Sequence, residues 1–398
     1  MSELRVLSIY EGFFSGGARI LHSDVVRGLH GGTQRHAVLS IHGEVLREAT
    51  RQSMEGDACY RSLTAAGVPV SALRRGPYPA TPAEAYTGPE LAATARATAA
   101  ADVVLSLKEQ PLALLNHAGL PSRPVVVCLH RSDPENQGPA LDSLLAGVAA
   151  GRVRACVCCA ESTRQAYAAA GVPAELLHVI PNGVDLLRFR PDPRTRYLTR
   201  LALGIPPGAP VVVFAARYAG MKNVPLFLRA ARQYLRREPD AHVLMCGAGM
   251  SAANPGLRED LAEALGDEPW LAERMSLLGV RHDMEALYAA ADVVSLTSSS
   301  GEAAPLCLIE GMMCGAVPVA TDVGDSAALV EGHGFVTPPD PEVIAATWTE
   351  AAARREDLTL ALERSRERFS RTRMIAAYGT LIEHVHSGVA GAPLPEPL

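Results

Sequence analysis

The chain has 398 residues, of which 48% are hydrophobic and 20% charged, with a formal net charge of −6. This length predicts roughly two or three domains, and the acidic balance disfavours a nucleic-acid-binding protein. The apolar runs are shorter than the ~18–20 residues of a membrane-spanning helix, so we expect no transmembrane segment. The N-terminus has no basic region followed by an apolar stretch, which predicts a cytoplasmic protein.

Eight cysteines are present, but only Cys156, Cys158 and Cys159 are clustered, and they lie in a strand-like run. A structural zinc site would need a second pair at matching spacing. We therefore expect buried, reduced thiols and no metal site.

Apolar runs rich in β-branched residues alternate with helical stretches along the chain. They predict strands at residues 6–10, 37–41, 103–107, 125–129, 155–159, 211–215, 242–246, 276–278, 293–296 and 317–320. Strands that are separated by helices are typical of parallel α/β units. The predicted fold class is therefore α/β, with two doubly wound domains.

Composition also predicts the domain boundaries. Residues 1–188 form the first domain and residues 209–363 the second, and a segment rich in proline and charge at 189–208 is interpreted as a linker. A helix follows at about 364–386, and the proline-rich tail at 387–398 is expected to be disordered.

The first candidate motif is the Gly16-Gly17 loop, which lies between the first strand and a predicted helix at 19–31. Two glycines let backbone N–H groups approach an anion at the positive end of a helix. Glycine at such a turn also has a purely steric explanation, and the sequence favours neither.

Other nucleotide and hydrolase signatures are missing. A P-loop needs a glycine before its lysine, and neither Lys108 nor Lys222 has one. The dinucleotide fingerprint occurs only in a relaxed form at residues 247–252, and there is no Gly-x-Ser-x-Gly motif. Kinase, dehydrogenase and common hydrolase functions are thereby disfavoured.

The second candidate is the pair Arg217 and Lys222, which follows the strand at 211–215 and precedes a helix opened by Asn223 and Pro225. Two cations beside a helix N-terminus, at the carboxyl end of a strand, suit a diphosphate. The alternative is a pair of solvated charges in a loop.

The third candidate is the pair Glu302 and Glu310, the first in a loop and the second two turns into a helix. At such a spacing the carboxylates would lie on the order of 12 Å apart, too far to share one ligand atom. They could hold the two ends of a sugar nucleotide, with the helix N-terminus facing the phosphates. The alternative is two unrelated glutamates, although apolar neighbours suggest that Glu310 is buried and needs a partner.

Taken together, these motifs resemble the retaining glycosyltransferases of GT-B type in family 4 (glycosyl transferases group 1). The matching segments run nearly end to end: the Gly16-Gly17 loop, residues 179–185, Arg217 with Lys222, residues 279–281 and 290–293, Glu302 with Glu310, and residues 315–321. The resemblance implies two Rossmann-like domains facing each other across a cleft, with the C-terminal helix crossing back to the N-terminal domain. The N-terminal domain would take the acceptor and the C-terminal domain the nucleotide sugar.

The resemblance also implies roles for individual residues. Arg217 and Lys222 would bind the donor diphosphate, Glu302 the donor sugar and Glu310 the ribose. Gly16 or Gly17 would approach the phosphate, and His130, after the fourth strand of its domain, would lie near the reacting centre. The implied catalytic residues are His130, Glu302, Arg217 and Lys222, and the implied donor-binding residues are Gly16, Gly17, Arg217, Lys222, Glu302, Ala303, Ala304, Leu306 and Glu310.

Two features qualify this assignment. The family commonly has Gly-Phe where this chain has Ala303-Ala304, which places the donor sugar in question more than the activity. Without the family resemblance, the sequence favours His130 as a strand-end residue bonded to loop backbone. The sequence also contains no Asp-x-Asp to hold a divalent ion, so leaving-group charge would be met by Arg217, Lys222 and helix N-termini. We expect neither a metal nor another cofactor.

The sequence therefore predicts a retaining, metal-independent hexosyltransferase that uses a nucleotide sugar, most simply a UDP-sugar, and a hydroxyl of a small acceptor. A nucleotide-sugar epimerase on the same scaffold and a non-catalytic nucleotide-sugar-binding protein are the alternatives. The expected partners are the nucleotide sugar and a small-molecule acceptor, with no nucleic acid. The acceptor-side segments 43–81 and 108–120 match no known pattern, so the acceptor and the oligomeric state stay open.

Overall fold

A computed structural model describes residues 3–14, 16–47, 50–76, 86–266, 268–363 and 365–388. The chain divides into two compact units. Unit 1 comprises Met1–Gly183 with Arg371–Leu398, and unit 2 comprises Val184–Ser370. Within the described ranges, none of the helices combines the length and the apolar character needed to cross a bilayer.

Unit 1 is built on a parallel sheet with the strand order β5-β2-β1-β6-β7-β8-β9. Its described strands, with the antiparallel hairpin β3–β4, are β1 Leu4–Tyr10, β2 Gln34–His42, β3 Glu44–Arg47, β4 Thr50–Ser53, β5 Val70–Arg75, β6 Val103–Leu107, β7 Val125–Leu129, β8 Val153–Cys158 and β9 Leu177–Val179. Every residue of β6 and β7 is buried, as expected for central strands covered on both faces. The loops that follow β1, β6 and β7 therefore emerge side by side at the carboxyl edge.

Unit 2 contains a second parallel sheet, in the order β12-β11-β10-β13-β14-β15. Its described strands are β10 Val211–Ala215, β11 His242–Cys246, β12 Met275–Leu277, β13 Val293–Leu296, β14 Val317–Thr321 and β15 Phe335–Thr337. One face is covered by a core around Phe227, Tyr234 and Trp348, whose rings lie within 5.3–5.5 Å of one another in two pairs. The Trp348 indole N–H donates to Ser295 Oγ (3.1 Å), so the buried polar end of the ring is satisfied.

Helices connect the strands in both units. They are α1 Gly17–Leu29, α2 Ala58–Ala65, α3 Gly88–Ala99, α4 Leu112–Leu115, α5 Pro139–Ala149, α6 Glu161–Ala169, α7 Pro193–Ala202, α8 Val224–Arg237, α9 Pro255–Leu265, α10 Pro269–Glu273, α11 Met284–Ala290, α12 Leu306–Met313, α13 Ser326–Val330, α14 Pro341–Ala353, α15 Arg355–Glu363 and α16 Arg371–Ser387. Several begin at side-chain caps; Thr87 and Glu90, for example, form a reciprocal capping box at α3. The parallel sheets with their connecting helices confirm the predicted α/β fold class.

The C-terminal helix α16 packs within unit 1. Its Arg371 pairs with Asp24 of α1 (3.6 Å), and the Gly379 carbonyl accepts from Gln34 Nε2 (3.3 Å). The helix starts later than the expected 364, because a short 3-10 turn at Arg366–Phe369 precedes it. The tail from residue 389 onward lies outside the described residues.

The segment expected to be a linker, residues 189–208, contains α7 and lies in unit 2. Asp192 caps the helix by accepting from the Arg194 and Thr195 amides (3.0 Å each). The guanidinium of Arg200, 2% exposed, donates to Asp292 Oδ2 (2.8 Å) and to the Ala290 carbonyl (2.9 Å). The Asp-Pro sequence marks the start of a helix here, since proline suits the first turn and aspartate the cap.

Candidate functional site at the carboxyl edge of unit 2

The expected cations follow β10. Arg217 is exposed, and its Nη2 atom lies 3.9 Å from Met221 Sδ. Lys222 ends the 3-10 turn Gly220–Lys222, and Asn223 then opens α8 with a left-handed backbone (φ +49°). Asn223 is thus the N-terminal boundary of the helix, although its side chain makes no capping bond.

Lys222 and Glu302 are brought together by the fold. Lys222 Nζ forms an ion pair with Glu302 Oε1 across 80 residues of sequence. Glu302 is 7% exposed and also accepts from Ser298 Oγ (2.6 Å). A buried carboxylate needs such partners, and no local pattern predicted Ser298 as one of them.

The two loops that carry this pair are bonded to each other. Thr297 Oγ1 donates to the Lys222 carbonyl (3.1 Å), and the Ser299 amide donates to the Met221 carbonyl (2.9 Å). The Ser298 carbonyl in turn accepts from Thr321 Oγ1 (2.6 Å) at the end of β14. The loops that carry the Lys222–Glu302 pair are therefore held by hydrogen bonds among the carboxyl ends of β10, β13 and β14.

A glycine behind Glu302 is required by space and by backbone geometry. Gly324 has φ +62°, and a Cβ atom there would lie 2.4 Å from the Glu302 carbonyl oxygen. The neighbouring Asp325 amide donates to the Ala303 carbonyl (2.8 Å). The loop after β14 thus supports the Glu302–Ala303 backbone at close range.

Glu310 lies just over one turn into α12, because the helix begins at Leu306 and not earlier as expected. The Tyr288 hydroxyl of α11 interacts with the Glu310 carboxylate, and burial, followed by the charge of Glu310, holds the pKa of Tyr288 well above its usual range. Burial raises the pKa of Cys307 to about 12, with Lys222 lowering it and Glu302 and Glu310 raising it further. The thiol therefore lies within the electrostatic reach of both glutamates.

The remaining residues of unit 2 that were expected to bind the donor lie in the same segment. Ala303 is 3% exposed, so its methyl group points into the protein, whereas Ala304 is half-buried. Leu306, also half-buried, packs against the core. The structure thus brings Lys222, Glu302, Ala303 and Ala304 together directly and places Glu310 on the adjoining helix.

The remaining expected residues belong to unit 1. Gly16 precedes α1 with an extended backbone, and both Gly16 and Gly17 are exposed. A Cβ at Gly16 would meet no atom within 4 Å, so crowding does not explain that glycine. Behind the loop, the buried Arg19 donates to the Phe14 carbonyl and lies 3.8 Å from the Phe14 ring centroid, a contact that the sequence did not predict.

His130 follows β7 and is half-buried. No described residue supplies a hydrogen-bond partner to its shielded Nε2 atom. Burial, and to a lesser extent the charge of Lys108, lowers the pKa of His130 to about 3. The imidazole is consequently neutral at physiological pH and can either accept or donate a proton in a hydrogen bond.

Family models match both halves of the chain. The model described as Glycosyltransferase Family 4 matches residues 16–188, and the model described as Glycosyl transferases group 1 matches residues 209–353. The first match covers Gly16, Gly17 and His130, and the second covers Arg217, Lys222, Glu302 and Glu310.

Curated relatives and solved structures agree with these matches. A D-inositol 3-phosphate glycosyltransferase of Nocardia farcinica is 34% identical over 44% of this chain and 40% of its own length. That of Geodermatophilus obscurus is 32% identical over 57% of this chain and 52% of its own length, so the chain matches about half, or less, of these relatives.

Two solved structures cover nearly the whole chain. Anabaena HepE in complex with UDP and glucose has a TM-score of 0.76 at 22% identity, covering 96% of this chain and 99% of that one. Sucrose-phosphate synthase from Thermosynechococcus elongatus has a TM-score of 0.71 at 17% identity, covering 97% of this chain and 100% of that one. These likenesses show the GT-B fold, and with the family matches they identify the chain as a member of the group 1 glycosyltransferases of GT-B type.

Proposed function

We propose that the chain is a retaining glycosyltransferase that moves a hexose from a UDP-sugar to a hydroxyl of a small acceptor without a metal ion. The observation that carries the proposal is the cluster at the carboxyl edge of unit 2. There, Lys222 and Glu302 form a shielded ion pair bonded to Ser298, and the guanidinium of Arg217 is exposed nearby in the same loop as Lys222. Ligands of open α/β sheets bind at this edge.

The cations suit the leaving group. As the bond between the sugar and the diphosphate breaks, negative charge accumulates on the departing phosphate oxygen, and fixed cations stabilise that charge. Lys222 is held in place by Glu302, so it needs little reorganisation when a diphosphate binds beside it. Arg217 has no acidic partner among the described residues and can present a planar guanidinium to phosphate oxygens.

The glutamates suit the neutral ends of the donor. Carboxylates accept hydrogen bonds from vicinal hydroxyls, and a sugar nucleotide carries such hydroxyls on its sugar and on its ribose. We assign Glu302 to the sugar, because it adjoins the cation, and Glu310 to the ribose. Tyr288, which interacts with Glu310, can orient this carboxylate by donating its hydroxyl hydrogen.

The reaction itself involves one bond broken and one formed. The sugar–phosphate C–O bond breaks, the acceptor hydroxyl oxygen attacks the anomeric carbon from the same face, and its proton passes to the departing phosphate oxygen. His130 of unit 1 is neutral at physiological pH and can accept a hydrogen bond without taking up the proton. The choice of UDP is supported by the Anabaena structure, which contains UDP, and a polyol acceptor is supported by the inositol phosphate named for the curated relatives.

Calorimetric titration with UDP, GDP and ADP, in the presence and absence of EDTA, tests the donor site. We expect binding of UDP in preference to the other two, unchanged by EDTA. UDP-glucose should then release UDP with D-inositol 3-phosphate or myo-inositol, and proton NMR should show an α-linked product. Epimerised free sugar without acceptor would favour the epimerase, and absence of all nucleotide binding would refute the proposal.

A further inference from the structure

Unit 1 contains a second cluster of polar side chains at the carboxyl edge of its own sheet. Glu109 and Gln110 follow β6, and His130 follows the neighbouring strand β7. Glu109 is only 2% exposed, whereas Gln110 and His130 are half-buried, so the rim of the cluster reaches the surface of unit 1.

Each of these three residues has a shielded polar atom that no described residue bonds. The atoms are Glu109 Oε1, Gln110 Oε1 and His130 Nε2. The orientation of the Gln110 amide is fixed, because its Nε2 donates to Gln137 Oε1 (3.1 Å) and leaves the carbonyl oxygen unbonded. Buried polar groups in native proteins are normally satisfied by protein or by water, so three atoms without a protein partner after two adjacent strands are available to a ligand.

The hydrogen-bonding character of these atoms defines the ligand chemistry. A carboxylate oxygen and an amide oxygen only accept hydrogen bonds, and neutral imidazole nitrogen can accept one as well. Their complement is a set of hydroxyl donors. A phosphate group placed directly beside the Glu109 carboxylate is disfavoured, and the nearby Arg131 already donates to both oxygens of Asp133 (2.6 Å each). The hydroxyl groups of the ligand are therefore the ones that face Glu109.

The backbone between β6 and Glu109 is held in an uncommon conformation. Lys108 has φ +69°, in the left-handed region that residues other than glycine rarely adopt. Its carbonyl accepts from Ser106 Oγ (2.7 Å), and its amide donates to the Cys128 carbonyl (3.1 Å). This strained turn carries Glu109 inward, and strain of this kind concentrates at binding sites.

We propose that Glu109 and Gln110, beside His130, form a subsite on unit 1 that binds a polyhydroxylated acceptor through its hydroxyl groups. The proposal rests on the glycosyl transfer proposed above, and it adds the residues and the chemical class of the acceptor. Because two acceptor atoms lie on consecutive residues, a ligand with neighbouring hydroxyls is favoured over a simple alcohol.

Protonation of Glu109 provides a signature of this role. Burial raises the pKa of Glu109 to about 7; its own backbone N–H, Lys108 and Arg131 oppose the shift, and Glu11 adds to it. An ionised carboxylate is the stronger hydrogen-bond acceptor. Polyol binding should therefore strengthen as the pH rises through about 7, and this dependence should vanish in Glu109→Gln.

Ligand-observed NMR titration of the full chain with myo-inositol, glucose and glycerol tests the subsite, and UDP titration of the same samples monitors unit 2. We expect at least one polyol to bind the parent protein, and Glu109→Gln and Gln110→Met each to weaken its binding by roughly tenfold or more. UDP affinity should not change. Glu175→Gln, an exposed glutamate of unit 1, is the matched control and should alter neither.

The outcomes separate this proposal from the donor assignment. Equal polyol binding by the parent and both variants, or no binding of any polyol to the parent, would overturn the subsite even where UDP binds well. Absence of UDP binding to the parent protein would instead refute the proposed function. A polyol affinity that depends on Glu109 and on pH would still support the subsite in that case.

Discussion

The candidate sites at the carboxyl edges of the two sheets differ in whether their shielded polar side chains have partners within the protein. In unit 2 the shielded glutamates have partners: Glu302 is bonded to Lys222 and Ser298, and Glu310 interacts with Tyr288. In unit 1 the shielded atoms of Glu109, Gln110 and His130 have no partner among the described residues. Both edges follow buried parallel strands, so the sheet geometry does not explain the contrast.

The contrast indicates different modes of ligand recognition. Paired charges are held in fixed positions before a ligand arrives, which suits stabilisation of a leaving group. Buried acceptors without partners retain hydrogen-bonding capacity at a cost in free energy, and they select a ligand that supplies the missing donors. Substitutions in each unit can break or sharpen this comparison.

The largest expected effect comes from breaking the pair in unit 2. Lys222→Ala removes a cation from the diphosphate site and leaves the shielded Glu302 carboxylate without its ion pair. We expect UDP affinity to fall by about 2–5 kcal/mol, at least some thirtyfold, as for other truncated buried pairs. Titration calorimetry measures this loss, and Arg258→Ala, an exposed arginine of α9, is the control. Unchanged UDP affinity in the lysine variant would contradict the donor-site assignment.

The second prediction concerns the stability of unit 1. The folded pKa of Glu109, about 7, lies above its ordinary value of 4.5, so the folded state binds the proton more tightly than the unfolded state. Stability should therefore be highest below about pH 4.5 and fall as the pH rises to about 7, by up to roughly 3 kcal/mol. Glu109→Gln should remove this loss.

Urea unfolding at pH 5 and pH 8 tests the prediction. The variant should gain stability relative to the parent at pH 8 and much less at pH 5. The free energies of unfolding of variant and parent could instead differ by the same amount at both pH values. Burial would then not raise the pKa of Glu109, which would show that its carboxylate has a partner in solution.

The third prediction concerns the support of Glu302. Gly324→Ala introduces a methyl group 2.4 Å from the Glu302 carbonyl oxygen at a positive φ, so the loop must shift. We expect about 1–3 kcal/mol of lost stability and a lower kcat with the donor, because Glu302 moves with its backbone. Gly220→Ala, where a Cβ meets no atom within 4 Å, is the control for thermal unfolding and turnover. Equal behaviour of the two variants would rule out a supporting role for Gly324.

The smallest expected effect comes from Tyr288. Tyr288→Phe removes the hydroxyl that orients Glu310 and leaves the packing of the ring intact. We expect the binding free energy of UDP to weaken by about 1 kcal/mol, roughly a fivefold loss of affinity. The affinity for pyrophosphate, which has no ribose, should stay the same. A loss of both affinities to the same degree would place Glu310 away from the ribose.

Local sequence was sufficient for the central strands. The predicted bounds of β6, β7, β10, β11 and β13 match the structure, because fully buried strands are continuous apolar runs between polar or small residues. The outer strands β5, β9 and β15 and the hairpin β3–β4 were missed, since short edge strands carry mixed polar patterns. The helix α7 was interpreted as a linker because its Asp-Pro start resembles a turn.

The sequence by itself determined the α/β class and the family, since these depend on local periodicity and motif spacing, and it singled out Lys222, Glu302 and Glu310 as candidates. Only the tertiary structure decided which atoms meet: Ser298 with Glu302, Tyr288 with Glu310, and Arg19 with the Phe14 carbonyl. It also decided that Glu109 is buried, although a glutamate after a strand looks like any solvated loop residue. Burial and pairing arise from contacts between segments distant in sequence, and no local pattern records them.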